Sequence, residues 1–377
     1  MQKKSFEINK LSTLLAQGVK NAVFPGAAAA ILLGSGEKRE QWLVSEGFCS
    51  YRQKESKKVD EKTIYDLASL TKPLVTVLAL VALVGAGKIR LDSTLAEILW
   101  SKELNNAADK QNITLADLLA HRAGFAAHRP FFKELSAIAG SDRRTALKKL
   151  ILAEPLIYPV GSRALYSDLG FILAGMIAEQ VSGMSLDQLA RERLFQPWRL
   201  TEELFYPAAG GPSGRRVYAP GEYCQWRQRV LGGEVGDENC AALGGVAGHA
   251  GLFGTSKGVA TLAGRLLDLW LGKTSHPALD PALVATFLSR QEKPAGTTWA
   301  LGFDTPTPGA SSSGRYFSPT SVGHLGFSGT SFWIDPQKEL VVVLLSNRVH
   351  PSRYNEKIKK FRPLFHDAVV EALGLVG

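Results

Sequence analysis

Apolar residues Leu11, Leu14, Leu15 and Val19 recur on one face of a helical period, so residues 5–20 are expected to form a first helix. Two apolar segments follow at 27–33 and 42–48, separated by the hydrophilic Gly34-Ser35-Gly36-Glu37-Lys38, and they read as two strands joined by a turn. A second strand pair is expected at 330–334 and 340–345, flanking Asp335-Pro336-Gln337-Lys338. Val341-Val342-Val343 shows no polar alternation, which predicts a strand covered on both faces. Between these ends the pattern is helical at 115–120, 144–152, 169–181, 185–194 and 259–270, with Gly- and Pro-rich loops between, and a last helix is expected at about 364–373.

Strands at both chain ends with helices between them predict an α/β (α+β) fold. An antiparallel sheet is built from both termini and flanked by helices, and a mostly helical region is inserted in the middle. In residue ranges, the sheet domain is expected from 1–84 and 290–377, the helical insertion from 85–289, and an active site between them. The chain has 377 residues, enough for one large domain or two intimate ones.

Composition narrows the class. Hydrophobic residues make up 45% and charged residues 21%, as in an ordinary globular protein. The net charge of +9 arises from 44 Lys and Arg against 35 Asp and Glu. Its densest stretch, residues 353–362, lacks the aromatic interleaving of a single-strand binder and reads as a solvated helix face, so no nucleic-acid partner is expected. Three scattered cysteines, Cys49, Cys224 and Cys240, match neither a disulfide framework nor a metal-ligand spacing, and neither metal nor other cofactor is expected. The N-terminus shows no apolar run with a cleavage site, which reads as a cytoplasmic start. The most apolar run, residues 73–85, is shorter than the ~20 residues of a bilayer span and reads as a buried core helix.

The chemistry-bearing residues fall into three groups. Ser69-Leu70-Thr71-Lys72 has the form Ser-x-x-Lys at the start of that apolar helix, where positions i and i+3 share a face and the Lys72 amine comes near the Ser69 hydroxyl. A serine hydroxyl needs such a neighbour to become nucleophilic at neutral pH. Ser35-Gly36-Glu37-Lys38 has the same form but lies in a hydrophilic turn with no buried helix after it. Next, Tyr166-Ser167-Asp168 precedes the helical stretch 169–181, with Asp168 as a candidate cap and Tyr166 as a candidate proton relay. Finally, His324-Leu325-Gly326-Phe327-Ser328-Gly329 precedes a strand, where a cation or donor followed by a small residue admits a substrate carboxylate or carbonyl to the strand edge. Each group alone also has a bland structural explanation. His121, at a helix end before Gly124, is read as structural, and the glycines from 244 to 254 as tight turns.

Together and in this order, the three groups resemble the Ser-x-x-Lys, Tyr-x-Asn and Lys-Thr-Gly motifs of class C β-lactamases and penicillin-binding proteins. The segments Asp66-Leu67-Ala68-Ser69-Leu70-Thr71-Lys72-Pro73, Leu118-Leu119-Ala120-His121-Arg122-Ala123-Gly124-Phe125 and Leu243-Gly244-Gly245-Val246-Ala247-Gly248-His249-Ala250-Gly251-Leu252-Phe253 are also similar to that family, especially to the branch of β-lactamase-fold esterases and muramyl-peptide amidases. The resemblance implies Ser69 as nucleophile, Lys72 and Tyr166 as the proton-transfer pair, the Ser69 and Phe327 N–H groups as an oxyanion hole beside Gly326, and His324 in place of the usual lysine. Asp168 stands where β-lactamases usually carry Asn. An ionised Asp only accepts hydrogen bonds, and its charge should hold Lys72 protonated, leaving Tyr166 as the base with its pKa lowered by Lys72.

Asp237-Glu238-Asn239 resembles a family loop that often has His before the Asp, here Gly236, and suggests a substrate contact for Asp237 or Asn239. The expected function is a serine hydrolase forming an acyl-enzyme on Ser69 and acting on a small ester, amide or peptidoglycan-derived substrate. The competing class is a ligand-binding or sensory module on the same fold that turns nothing over. The oligomeric state is left open.

Overall fold

The computed structural model describes residues 7–99, 104, 108–207 and 216–376. Helix α1 spans Ile8–Lys20, and strands β1 and β2 span Gly26–Leu33 and Glu40–Gly47. The C-terminal part supplies β3 (Val322–Leu325), β4 (Ser331–Asp335) and β5 (Leu340–Ser346). They form one antiparallel sheet in the order β2-β1-β5-β4-β3. Its centre is the pairing of the two chain ends, with β1 against β5 from Ala27 opposite Ser346 to Leu33 opposite Leu340. The sheet expected from both termini is therefore present.

Strand β5 is buried throughout, as its unbroken apolar run requires. Alternation sends Leu340, Val342 and Leu344 to one face, where α1 and the last helix, α5 (Ile358–Ala372), cover them with Leu11, Leu15, Phe361 and Phe365. Val341, Val343 and Leu345 face the other way, toward α4 (Ser256–Trp270) and the larger core. At about 1.5–3 kcal/mol per fully buried Val or Leu, this two-sided strand is a main anchor of the fold.

Helix α2 runs over Ala68–Gly85, wound as a π-helix from Lys72 to Val77, and α3 over Asp168–Ser182 packs against it. Among the described residues α2 is one helix long and apolar enough to cross a membrane by length and composition, longer than the run read from the sequence, yet Leu74, Val75, Val77 and Leu80 are fully buried in the protein core.

Some expectations are corrected. Helix α5 begins at Ile358 and continues through Pro363, because the apolar face Phe361–Phe365–Val369 carries it past the proline. Arg353 and Arg362 do not form a solvated face: Arg353 pairs with Glu222 and Glu238, and Arg362 is buried. Strand β3 was not anticipated, being four residues long with Gly323 and His324 inside it.

Candidate active site

A three-stranded side sheet places Tyr65–Asp66 beside Phe253–Gly254 and delivers the chain to Ala68, which takes a left-handed backbone with φ +49 immediately before Ser69. A non-glycine residue there is strained by about 1–3 kcal/mol and persists only where its surroundings fix it. Ser69 then opens α2, and Lys72, one turn on, is fully buried. The Lys72 Nζ donates to Ser69 Oγ at 3.0 Å, Asp168 Oδ1 at 2.7 Å and the His249 carbonyl at 3.1 Å. An ammonium has three N–H donors, and all are engaged.

Tyr166 and Asp168 arrive on the N-terminus of α3. The cap is Ser167, not Asp168: its hydroxyl accepts from the Gly170 N–H and donates to the Ala126 carbonyl at 2.7 Å. Asp168 is thereby left free to face Lys72. Tyr166 Oη donates to Ser69 Oγ at 2.7 Å. His121 is structural, its Nδ1 accepting the Ser167 N–H and its ring packing on Tyr166 and Trp299. Third to arrive is the β3 edge, where His324 packs at 5.9 Å between ring centroids from Tyr166. Gly326 follows, where a Cβ would meet Thr330 Oγ1 at 1.9 Å and the Leu67 carbonyl at 2.8 Å, so only glycine lets this turn close on the nucleophile segment. The Gly326 N–H donates to the Thr330 carbonyl, whereas the N–H groups of Ser69 and Phe327 are engaged by no protein acceptor among the described residues. The Phe327 ring is 55% exposed at the cavity rim.

The electrostatics sort these groups. Burial disfavours a charged Lys72, but the Asp168 carboxylate outweighs it and raises the pKa, so the ammonium expected from the sequence holds. Burial opposes ionisation of Asp168 too, and is overcome by the Lys72 ammonium with His128 close by, which hold the carboxyl far below its usual range. Tyr166 departs from expectation: burial dominates the lowering effect of Lys72 and pushes it up to about 12, so it is a neutral phenol at rest. His324 departs as well. Burial, then Lys72, push it down to about 3, and Nδ1 lies 2.8 Å from the Leu325 carbonyl. It is a neutral ring rather than the cation or donor expected from the sequence, and its buried Nε2 has no hydrogen-bond partner among the described residues.

Ser69, Tyr166, Asp168, His324, Gly326 and Phe327 line a cavity of about 610 Å³, with Lys72 buried behind them. Asp237 borders it, with Oδ1 2.8 Å from His249 Nε2. Asn239 does not, because its amide donates to the Arg129 carbonyl and accepts from the Phe132 N–H, pinning that segment. Sequence reasoning missed His128, whose Nδ1 is 3.6 Å from Asp168 Oδ2 and whose pKa that carboxylate raises. It missed His249 as well, which acts through its backbone carbonyl. Gly248 sets that carbonyl, since a Cβ there would lie 2.1 Å from the Phe171 carbonyl. Ligand atoms of His128, Asp168 and Asp237 lie within 4.8 Å of one another, near enough to share a cation, although Lys72 already neutralises Asp168.

Residues 11–364 match the protein family described as Beta-lactamase. An Escherichia coli protein named "Putative D-alanyl-D-alanine carboxypeptidase" is 30% identical over 373 residues, covering 93% of this chain and 85% of its own. Among solved structures, the octameric penicillin-binding protein homologue from Pyrococcus abyssi superposes with a TM-score of 0.70 at 18% identity, over 98% of this chain and 78% of its own. EstCE1, a hydrolase with promiscuous acyltransferase activity, superposes at 0.67 and 20% identity, over 94% of this chain and 98% of its own.

Proposed function

The chain belongs to the beta-lactamase family and is a serine hydrolase, and from that premise we propose that it forms an acyl-enzyme on Ser69 and cleaves amide bonds in peptidoglycan-derived peptides. The observation that carries the reading is the double contact at Ser69 Oγ, with Lys72 Nζ at 3.0 Å and Tyr166 Oη at 2.7 Å. A binding module that turned nothing over would have no use for a buried ammonium and a buried phenol on one serine hydroxyl.

The scissile carbonyl binds with its oxygen toward the Ser69 and Phe327 N–H groups, which stabilise the developing oxyanion. As the substrate enters, the phenol hydrogen turns from Ser69 Oγ toward the leaving nitrogen and the serine hydrogen turns to Tyr166 Oη. As the Oγ–C bond forms, the serine proton passes to Oη, and the phenol proton moves to the leaving nitrogen as the C–N bond breaks. The relay needs no free phenolate at rest, in keeping with a tyrosine held near 12. Lys72, kept charged by Asp168, offsets the negative charge passing through Oγ. Water then attacks the acyl carbon, its proton returning through Tyr166 to Ser69.

A peptide suits the cavity walls better than a simple ester. The lining offers acceptors, Asp168, Asp237 and His324 Nε2, for amide N–H groups. It also carries Arg348 and Arg362, 7% and 6% exposed and hydrogen-bonded only to carbonyls among the described residues, which puts positive charge where a peptide carboxylate can meet it. The relatives' name points to the same substrate class.

The test is incubation with a fluorophosphonate and mass analysis of the Ser69 peptide, followed by assay of D-alanine release from acyl-D-Ala-D-Ala peptides. Absence of an adduct on Ser69 in the native chain, or equal labelling of Ser69→Ala, would remove the acyl-enzyme. An adduct with turnover of p-nitrophenyl esters but not of peptides would leave the nucleophile standing and overturn the substrate.

A further inference from the structure

The Asp66 carboxylate accepts two backbone N–H groups, one from the residue before the nucleophile and one from a distant loop. Oδ1 takes the Ala68 N–H at 2.8 Å and Oδ2 the Gly236 N–H at 2.7 Å. Ala68 is the left-handed residue that sets the direction of Ser69, so the first bond fixes the strained step itself. The second reaches a loop 170 residues away in sequence. That loop is also held by Arg227, which donates to the Val235 carbonyl at 2.8 Å and the Gly236 carbonyl at 2.9 Å. The next residue, Asp237, contacts His249 Nε2 at 2.8 Å, and the His249 carbonyl accepts Lys72 Nζ at 3.1 Å. Lys72 returns to Ser69 Oγ at 3.0 Å. The contacts close a circuit that begins and ends at the nucleophile.

We propose that Asp66 is a positioning residue for the hydrolysis, closing a ring through Ala68, Gly236, Asp237, His249 and Lys72 that fixes the serine hydroxyl relative to its ammonium. The inference rests on the reading of Ser69 as nucleophile. Two converging N–H donors require a side chain with two acceptors and no donor. An ionised Asp meets this and an Asn does not, because its NH₂ would face one of the two N–H groups. Glu has the charge, but its extra methylene cannot reach both donors in the same short turn. From the third-motif side the same stretch is tied by Ser328 Oγ to the Asp66 carbonyl at 2.7 Å and by Thr330 Oγ1 to the Leu67 carbonyl at 3.1 Å. The turn therefore has a second support when Asp66 is altered. Burial, with the nearby Asp237 charge, pushes Asp66 up to about 6 against its two N–H partners and Arg227. Protonation below that range puts a hydroxyl against an N–H and opens the ring.

The experiment measures the second-order rate of Ser69 labelling by a fluorophosphonate as a function of pH. It compares the full native chain with Asp66→Asn, Asp237→Asn and the double variant, with melting temperatures alongside. Asp66→Asn is expected to melt as the native chain does yet label at least tenfold more slowly at pH 7.5, and to lack the share of the acid limb near pH 6 that Asp66 contributes. His128 and Asp304 also border the cavity and titrate in both proteins, so the difference between the profiles is the readout. The double variant should lose less than the product of the single losses, because one break already opens the ring. Should Asp66→Asn fail to fold, Asp66→Glu serves, with labelling again slowed at least tenfold. A folded variant labelling within threefold of native, an unchanged acid limb, or multiplicative losses would each overturn the ring. If the native chain is not labelled at Ser69, it is the acyl-enzyme that fails.

Discussion

His324 Nδ1 lies 2.8 Å from the Leu325 carbonyl oxygen, and that contact decides what the ring offers to the cavity. A carbonyl only accepts, so Nδ1 carries the hydrogen and Nε2 presents a lone pair. A lysine at this position, the family habit, would present donors instead. His324→Gln, which can still offer a carbonyl oxygen, should keep peptide kcat/KM within about tenfold of native, whereas His324→Lys should lose more than that, a difference above ~1.4 kcal/mol in transition-state binding. Peptide turnover by His324→Lys equal to native would show that the wall does not need an acceptor. The folded-state pKa, about 3, lies below the unfolded value of about 6.5. The contribution of the neutral ring to stability is thus complete above pH 6.5 and is lost as pH falls from there through 3.

Removing Lys72 should act on stability and catalysis together. Lys72→Ala leaves the Asp168 carboxylate, 18% exposed, without its main counter-charge, and breaking such a pair should cost about 2–4 kcal/mol in urea unfolding. The kcat should fall about 10²–10⁴-fold. Adding Asp168→Ala should restore part of the stability and none of the activity. Tyr166→Phe should cost a similar factor in kcat with only about 0.5–1.5 kcal/mol of stability, the value of one hydrogen bond. If both single variants acylate at the native rate, the proton route through Lys72 and Tyr166 is wrong.

The parts of the site legible in the sequence were those that a side-chain pattern records. Ser69 and Lys72 stood out because an apolar run follows them, β1 because a hydrophilic turn bounds its apolar segment, and β5 because Val341-Val342-Val343 shows no polar alternation. What stayed hidden acts through backbone or through burial. His249 contributes a carbonyl oxygen, which has no residue signature, and its neighbour Gly248 looked like any other tight turn. His128 is a lone loop histidine whose meaning depends on Asp168, 40 positions on. The charge states of Tyr166 and His324 could not be read from residue type, since desolvation, a property of the packed fold, dominates both.

His366 should be replaceable to advantage. It is fully buried on α5, packs on Phe317 and Phe365, and neither ring nitrogen has a hydrogen-bond partner among the described residues. One of those nitrogens carries an unsatisfied N–H, worth about 1–3 kcal/mol. His366→Leu should raise stability by roughly 1 kcal/mol at pH 7 after allowance for imperfect repacking. Burial holds this ring at about 3, so its neutral form supports the fold above pH 6.5 and that support declines as pH falls toward 3. The variant's gain should therefore widen on acidification, and a gain that shrank between pH 6.5 and 4.5 would contradict the assignment.

Asp168 gives the most discriminating test of substrate choice. Its Oδ1 takes Lys72 Nζ at 2.7 Å, and its Oδ2 lies 3.6 Å from His128 Nδ1. In Asp168→Asn the carbonyl can keep the lysine while the amide supplies a donor that an acylamino substrate can use and the carboxylate cannot. The His128 pKa, raised by the neighbouring Asp168 carboxylate, should fall in the variant, and NMR titration of that ring checks whether the charge has gone. The sign follows for stability: the native His128–Asp168 contact contributes below pH 6.5 and fades as pH rises through the raised pKa, and the variant should lack this dependence. For catalysis, the change in kcat/KM for nitrocefin divided by that for a short-chain p-nitrophenyl ester should rise about tenfold, ~1.4 kcal/mol of differential transition-state binding. A general loss of activity cancels in the ratio, since both substrates use the same Ser69, Lys72 and Tyr166. A ratio that stayed level or fell, in a variant whose His128 titration had shifted, would mean that the carboxylate serves only to hold Lys72 charged and that substrate preference is set elsewhere in the cavity.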